Sequence, residues 1–387
     1  MNPPRVMIYV QHLLGSGHLR RAAALARECA AAGMETLLVS GGRTIADLDV
    51  GGATFAQLPP AAARDENFSG LIDERGADVD DAWYGARRER LLCVFTEFAP
   101  DALVTETFPF GRRQMAFELT PLLDAVWTKQ PRPLVASSVR DILQTKSGSI
   151  SKQMAAIACE RFDHVLVHGD ARFVALNASF PVEGALAAKL AYTGYIAEPA
   201  ESRGRAGDPG WDEVVVSSGG GAVGAALLAA ALAARPLTKA ASTASWRLLA
   251  GSGLPATDFE RLRAAAPAGI VVERARSDFR QLLANARLSV SQAGYNTVME
   301  ILAAHVPAVL VPFAGNGQTE QPLRAELLRA RGRVEVIPES ALAPQGLAAA
   351  IDRALAAPVA DVALKRDGAR ESARLLATWL GERAATA

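Results

Sequence analysis

The sequence predicts an α/β protein built from two parallel-sheet domains. Three observations carry that reading. Short apolar strands alternate with helical stretches from residue 5 onward. The alternation stops once, at 197–212 (AEPAESRGRAGDPGWD), a stretch rich in Pro, Gly and charge with no apolar period. It then resumes with the same spacing. A chain of 387 residues is also too long for one ordinary core.

In the first domain, 1–196, strands are expected at 5–10 (RVMIYV), 34–40, 53–58, 101–106, 133–138 and 164–169. Helices are expected near 18–32, 86–98, 112–126 and 150–161, with Gly33 in the place of a C-cap. Residues 197–212 form the linker. In the second domain, 213–387, strands are expected at 213–218, 245–251, 269–273, 287–291, 307–312 and 334–338. A last helix, about 366–382, is free to pack on either domain. Short buried strands between helices imply parallel sheets covered on both faces. Two such sheets facing each other would form a cleft at the carboxyl ends of their strands, where ligands of α/β proteins bind.

Composition narrows the function. Half the residues are hydrophobic and 21% charged, and Lys+Arg and Asp+Glu both number 41. A net charge of zero gives no bulk steering toward nucleic acid, so no nucleic-acid partner is expected. Cys29, Cys93 and Cys159 each lie in an apolar helical stretch and read as buried thiols of a reducing cytosol. There is no C-x-x-C and no His/Cys cluster with zinc spacing, so no metal ligand is assigned. The N-terminus MNPPRVMIYV lacks the apolar core of a signal peptide, and runs such as GAALLAAALAA (224–234) are too short to span a bilayer. The expectation is a soluble, cytoplasmic protein, with peripheral contact with the inner membrane left open.

The motifs fall on strand-to-helix loops. After the first strand, residues 11–26 read QHLLGSGHLRRAAALA. A dinucleotide fingerprint would need glycine where Arg20 stands and an acid where the second strand ends in Ser40-Gly41-Gly42-Arg43, so nicotinamide and flavin binding are disfavoured. A phosphate-binding G-K-[ST] is also absent. What remains is a glycine loop, Gly15 and Gly17, with His18 at a helix N-terminus. That end suits an anion and lowers an imidazole pKa toward the neutral form of a general base. The plainer reading is a tight turn capped by His18. SSGGGAVG (217–224) repeats the device in the second domain. SQAGYNTVMEI (291–301) is a third junction: Gly294 opens the turn, Asn296 or Thr297 caps the helix, and Glu300 lies among apolar neighbours, where it needs a ribose diol or an arginine as partner. In VPFAGNGQTEQPLRAELL (311–328), Glu320 and Gln321 begin a helix, placed either to grip sugar hydroxyls or simply to face solvent.

Taken in order, these motifs resemble the GT-B glycosyltransferases, and most of all glycosyltransferase family 28, which includes a bacterial enzyme adding GlcNAc to a lipid-linked muropeptide. The resemblance runs over both domains and is most specific at 291–325. It implies two Rossmann-like domains and an inverting, metal-independent transfer from a nucleotide sugar, usually a UDP-sugar, with no other cofactor. By position, Glu300 would bind the ribose, Gly294 and Thr297 would flank the diphosphate, and Asn296 would also bind the donor. Gly220 and Gly221 would back the phosphates, and Glu320 and Gln321 would touch the donor sugar. The base would sit against 273–279, with Arg274 and Phe279. Gly15, Gly17 and His18 would face the acceptor, a small molecule or a lipid-linked one, with His18 as base and Glu106 or Asp170 as the other candidates.

The departures point to a different acceptor. After the histidine the family continues with small and apolar residues, whereas this chain has Leu19-Arg20-Arg21. The family's G-N-P-[VI]-R stretch at the linker is replaced by YTGYIAEPAES (192–202). Arg20, Arg21, Arg112, Arg113 and Arg140 all fall on strand-to-helix loops of the first domain, and arginine suits phosphate or carboxylate. An anionic or phosphorylated acceptor is therefore expected, the domains closing on the donor about 195–212. A nucleotide-sugar epimerase and a non-catalytic nucleotide-sugar-binding protein are the alternatives.

Overall fold

The computed structural model describes residues 3–45, 48–65, 68–219 and 224–386. Gly220 and Gly221, expected to back the donor phosphates, lie outside the described residues. The chain divides into two compact units, Met1–Ile196 with Leu364–Ala387, and Ala197–Ala363.

Unit 1 contains β1 (Arg5–Val10), α1 (Gly17–Ala31), β2 (Glu35–Ser40), β3 (Thr54–Gln57), a hairpin of β4 (Ala62–Ala63) and β5 (Leu71–Ile72), α2 (Asp81–Phe98), β6 (Ala102–Glu106), α3 (Ala116–Thr128), β7 (Leu134–Arg140), α4 (Gly148–Arg161), β8 (His164–His168), α5 (Gly184–Lys189) and β9 (Leu190–Tyr192). Its seven-stranded sheet runs β3-β2-β1-β6-β7-β8-β9, all parallel. The period of two along a strand divides the core. Met7, Tyr9, Leu37, Val39 and Leu103 pack on α2 and α3, while Val6, Ile8, Val10, Leu38 and Val104 pack on α1.

Unit 2 contains β10 (Val214–Ser217), α6 (Ala225–Ala234), β11 (Trp246–Ala250), α7 (Ala256–Ala264), β12 (Ile270–Arg274), α8 (Phe279–Asn285), β13 (Leu288–Ser291), α9 (Tyr295–Ala304), β14 (Ala308–Leu310), α10 (Glu320–Arg329), β15 (Glu335–Val336) and α11 (Pro344–Ala356). Its six parallel strands are ordered β12-β11-β10-β13-β14-β15. The last helix, α12 (Gly368–Thr386), which the sequence left free to pack on either domain, belongs to unit 1. The reason is apolar. Ala373, Leu376 and Leu380 join the α1 face of the unit 1 core, and Trp379 stacks on His164 at 3.6 Å. Residues 197–212, expected as a linker, belong to unit 2, where Asn285 binds the Gly204 N–H at 2.7 Å and the Pro209 carbonyl at 2.8 Å.

Two cysteine expectations fail. Cys29 is buried, and burial pushes its thiol up to about 12. Cys93 is exposed on α2 with its thiol on Glu97, and Cys159 is half-buried. Both lie off the buried stripes of their helices.

Candidate active site

Each sheet has one point where the chain leaves a strand toward one edge and later returns on its other side: β1 between β2 and β6, and β10 between β11 and β13. Ligands of doubly wound sheets bind at the carboxyl ends of such strands. The expected loop Gly15–His18 follows β1 at the first of these points, and the SSGGGAVG loop after β10 falls partly outside the described residues.

In unit 1, Gly17 opens α1 and His18 is its second residue, and the N-cap Ser16 makes no side-chain capping bond. Parallel pairing sets Tyr9 against Thr105, so Glu106 emerges one residue past β1's neighbour, level with Val10. His18 Nδ1 lies 2.8 Å and 2.9 Å from the two Glu106 carboxylate oxygens. Arg21, one turn along α1, pairs with the same carboxylate. Glu106 is 1% and Arg21 3% exposed, but 17% of the His18 side chain reaches solvent. A lone pair on Nδ1 would repel a carboxylate at that distance, so Nδ1 carries the hydrogen and Nε2 is the acceptor.

Burial drives the His18 imidazole down to about 3 against the upward pull of Glu106, and the charges of Arg112 and Arg140 push it further down. Burial works to raise Glu106, but His18 and Arg21 reverse this and hold it well below the usual carboxylate range. Glu106 therefore orients the imidazole rather than serving as a base. Arg112 Nε donates to the Gln11 carbonyl at 2.6 Å, tying the loop after β6 to the end of β1. That loop is tight: Thr107 N donates to Ser138 O, Ser137 Oγ to Phe108 O, and a Cβ at Gly111 would collide with the Thr107 methyl.

Arg20 and Arg113 are exposed, and Arg21 is consumed by Glu106. Asp170 accepts from the Arg172 side chain at 2.6 Å and 3.0 Å and from Lys365 N at 3.4 Å. The Arg172 bond holds its carboxyl down to about 2, so it ties β8 to the returning chain and is no base. A cavity of about 420 Å³ lined by Pro59, Pro60, Asp73, Glu74, Arg75 and Trp83 contains none of the expected site residues.

In unit 2, Gly294 is the N-cap of α9, so neither Asn296 nor Thr297 caps it. Both are half-exposed in its first turn, and Glu300, expected among apolar neighbours, is half-exposed while Val298, Met299, Ile301 and Leu302 are buried. Gln321 Oε1 accepts from Ala293 N at 2.9 Å and Phe313 N at 3.1 Å, joining the loops after β13 and β14. Glu320 is buried against Arg324 at 2.9 Å, and Arg324 also donates to Ala293 O at 3.0 Å. Gln321 and, through Arg324, Glu320 thus shape the loop that precedes α9. Arg274 donates to Gly251 O and Leu254 O at 3.0 Å and 2.7 Å and lies over Phe259, while Phe279 begins α8, half-buried. Arg324 was missed, although its i,i+4 spacing from Glu320 was readable. Among the described residues no group of three His, Cys, Asp or Glu is placed to hold a metal, and no helix is long and apolar enough to cross a membrane.

The buried histidines make acid lability testable. His168, between Ser138 and Thr193 at 2.7 Å and 3.0 Å, is likewise pushed by burial down to about 3. An imidazole neutral in the fold charges near pH 6.5 once unfolded, so the unfolded state binds more protons below that pH. Stability should be full above pH 6.5 and fall toward pH 3, by up to about 1.4 kcal/mol per pH unit for each histidine. Urea midpoints at pH 7 and pH 5 check this, and His168→Asn should flatten the slope.

Comparison with solved structures gives the fold. The fold matches the glycotransferase of kitacinnamycin with TM-score 0.64 and 15% identity over 98% of this chain and 100% of that one. It matches the calicheamicin glycosyltransferase CalG4 with TM-score 0.60, 16% identity and coverage of 100% and 98%. Acinetobacter baumannii MurG gives TM-score 0.56, 16% identity and coverage of 97% and 100%. The architecture is that of the GT-B glycosyltransferases. Residues 219–377 match the glycosyltransferase family 28 C-terminal domain. The UDP-N-acetylglucosamine--N-acetylmuramyl-(pentapeptide) pyrophosphoryl-undecaprenol N-acetylglucosamine transferase of Mesorhizobium japonicum is 35% identical over 138 residues, 34% of this chain and 37% of that protein. The protein of the same description from Ralstonia nicotianae is 37% identical over 97 residues, 25% of this chain and 26% of that protein. The chain therefore aligns with well under half the length of these relatives. The fold is thus the GT-B architecture, and its C-terminal part is similar to the family 28 C-terminal domain.

Proposed function

We propose that the protein moves a sugar from a nucleoside diphosphate sugar, a UDP-sugar first among them, to a hydroxyl of an anionic or phosphorylated acceptor, with inversion and without a bound metal. The observation that carries this reading is the His18–Glu106 pair at the switch point of unit 1. The acceptor oxygen attacks the anomeric carbon, its proton passes to His18 Nε2, and the bond to the diphosphate breaks. Glu106 pulls the imidazole upward, but burial outweighs it and leaves His18 neutral and weakly basic before the acceptor binds. Arg112 and Arg140 depress His18 in the absence of acceptor. An acceptor anion between them would relieve that effect and make His18 more basic when substrate binds. This supports an anionic acceptor on chemistry beyond arginine count.

Unit 2 takes the nucleotide. The uncapped N-terminus of α9 suits a diphosphate and charge developing on it. Glu300, one face of the helix exposed, is assigned to the ribose. The relatives' names, which carry UDP-N-acetylglucosamine, support uridine as the base.

A thermal-shift panel with UDP, GDP, ADP, dTDP and NAD tests this directly. At 100 times its dissociation constant a ligand stabilises by about 2.7 kcal/mol, a shift of several degrees. The expected result is a UDP shift that Glu300→Ala abolishes. A response to NAD alone, or to no diphosphate, would sink the transferase reading, and consumption of UDP-sugar without acceptor would indicate an isomerase.

A further inference from the structure

We propose that Arg21 is a positioning residue that, through Glu106, fixes His18 as its Nδ1–H tautomer and keeps Nε2 open toward the acceptor; this rests on the assignment of His18 as base. The family resemblance supplies no arginine here, since relatives continue after the histidine with small and apolar residues.

Arg21 follows His18 by three residues on α1, so both side chains leave the same helix face. Both meet one carboxylate. Arg21 takes Glu106 Oε1, and His18 Nδ1 reaches Oε1 at 2.8 Å and Oε2 at 2.9 Å. Without the guanidinium, Glu106 could turn about its last bond or take a proton, and a protonated carboxyl would donate to Nδ1 and reverse the tautomer. Arg21 prevents both. It also lies 3.2 Å from Nδ1 itself. A cation at that distance disfavours a second proton on the ring, so His18 waits neutral for the acceptor. The remaining groups around the ring are Thr107 Oγ1 at 3.5 Å, Arg112 beyond β6 and Arg140 at the end of β7. None of them holds Glu106 in place as Arg21 does. Arg21 is 3% exposed, and an ion pair so buried contributes little net stability for its desolvation. Its presence is better explained by what it orients.

The test is ring-15N histidine NMR of the full chain without substrates, titrated from pH 8 to pH 4. Wild type should show His18 neutral, Nδ1 protonated and Nε2 bare, throughout. Arg21→Gln, which keeps a donor but loses the charge, should populate the other tautomer and raise the proton affinity of His18 by about tenfold or more. Arg21→Lys should restore the single tautomer. If Arg21→Gln does not fold, Arg21→Lys alone decides by the size of its shift. It retains the charge without the fork, so its titration should move up by less than one pH unit with Nδ1–H still dominant. A wild-type tautomer and titration in folded Arg21→Gln would overturn the positioning role. So would an Arg21→Lys protein in which the other tautomer dominates. A wild-type His18 with Nε2 protonated would instead remove His18 as the base, which separates the two failures.

Discussion

His18→Ala should lower turnover by roughly 10²–10⁴-fold, the contribution of one positioned general base. UDP affinity should stay unchanged, because the nucleotide residues assigned above all lie in unit 2. The mechanism predicts this split between turnover and donor binding. Alanine removes Nε2, the atom that takes the proton, and leaves Glu106 still paired with Arg21. The measurement is UDP release from the donor found by thermal shift, with a phosphorylated acceptor found by screening, alongside calorimetric binding of UDP. Glu106→Gln should lose less, since the amide can still hold the ring but cannot stabilise an imidazolium. Turnover equal to wild type in His18→Ala would reject the base. A parallel loss of UDP binding would show that His18 acts through the fold.

Much of the fold could be read from sequence because its signals are local. RVMIYV is an apolar run bounded by polar residues, and it is β1. The long strands fell within a residue or two of their observed ends for the same reason. The hairpin of β4 and β5 and the short β9 were not legible, because they lack the valine-rich runs that mark the equally short β14 (PAVLVP) and β15 (VEVIP). α2 begins at Asp81, earlier than the apolar pattern suggests, because Asp80 caps it by accepting from Trp83 N at 2.8 Å. The site divides along the same line. His18 was visible because glycine, histidine and helix are adjacent in sequence. Its pairing with Glu106, 88 residues away, depends on β6 lying beside β1, and strand order is not written in either segment. Arg21 was therefore read as an acceptor ligand, since nothing nearby in sequence announces the carboxylate that consumes it. The hydrogen bonds of Gln321 and Glu320 were hidden for the same reason, since they reach the loop after β13, a neighbour set by strand order.

Arg87 gives the largest expected effect on stability. On α2 the buried positions are Arg87, Leu91, Val94, Phe95 and Phe98, a helical stripe whose first member is charged. Arg87 is fully buried, and every donor of its guanidinium is used. Nε and Nη2 bind the two Glu118 oxygens at 2.8 Å and 2.9 Å, and Nη2 also donates to Gln11 Oε1 at 2.6 Å. Nη1 donates to Gly41 O at 2.9 Å and to Pro59 O. Tyr9 adds its hydroxyl to Glu118, and burial raises its pKa well above the ordinary value, so it remains the donor. Arg87→Met leaves the Glu118 carboxylate in a closed apolar layer with only Tyr9 to answer it. Breaking a buried pair in this way costs about 3–5 kcal/mol, a fall in melting temperature on the order of 10 °C for a unit of this size. Arg87→Met with Glu118→Leu should recover most of it, because no charge is then stranded. Recovery should not extend to turnover. Arg87 pins Gln11 and Gly41, the first residues past β1 and β2, and Gln11 in turn accepts Arg112 and leads into the loop that carries His18. The double variant should therefore melt near wild type and still turn over slowly. Thermal melts and turnover measured on the same three proteins decide the point. A single variant as stable as wild type would mean that Glu118 is neutral in the fold, and a double variant with full turnover would mean that the His18 loop holds its shape without Arg87.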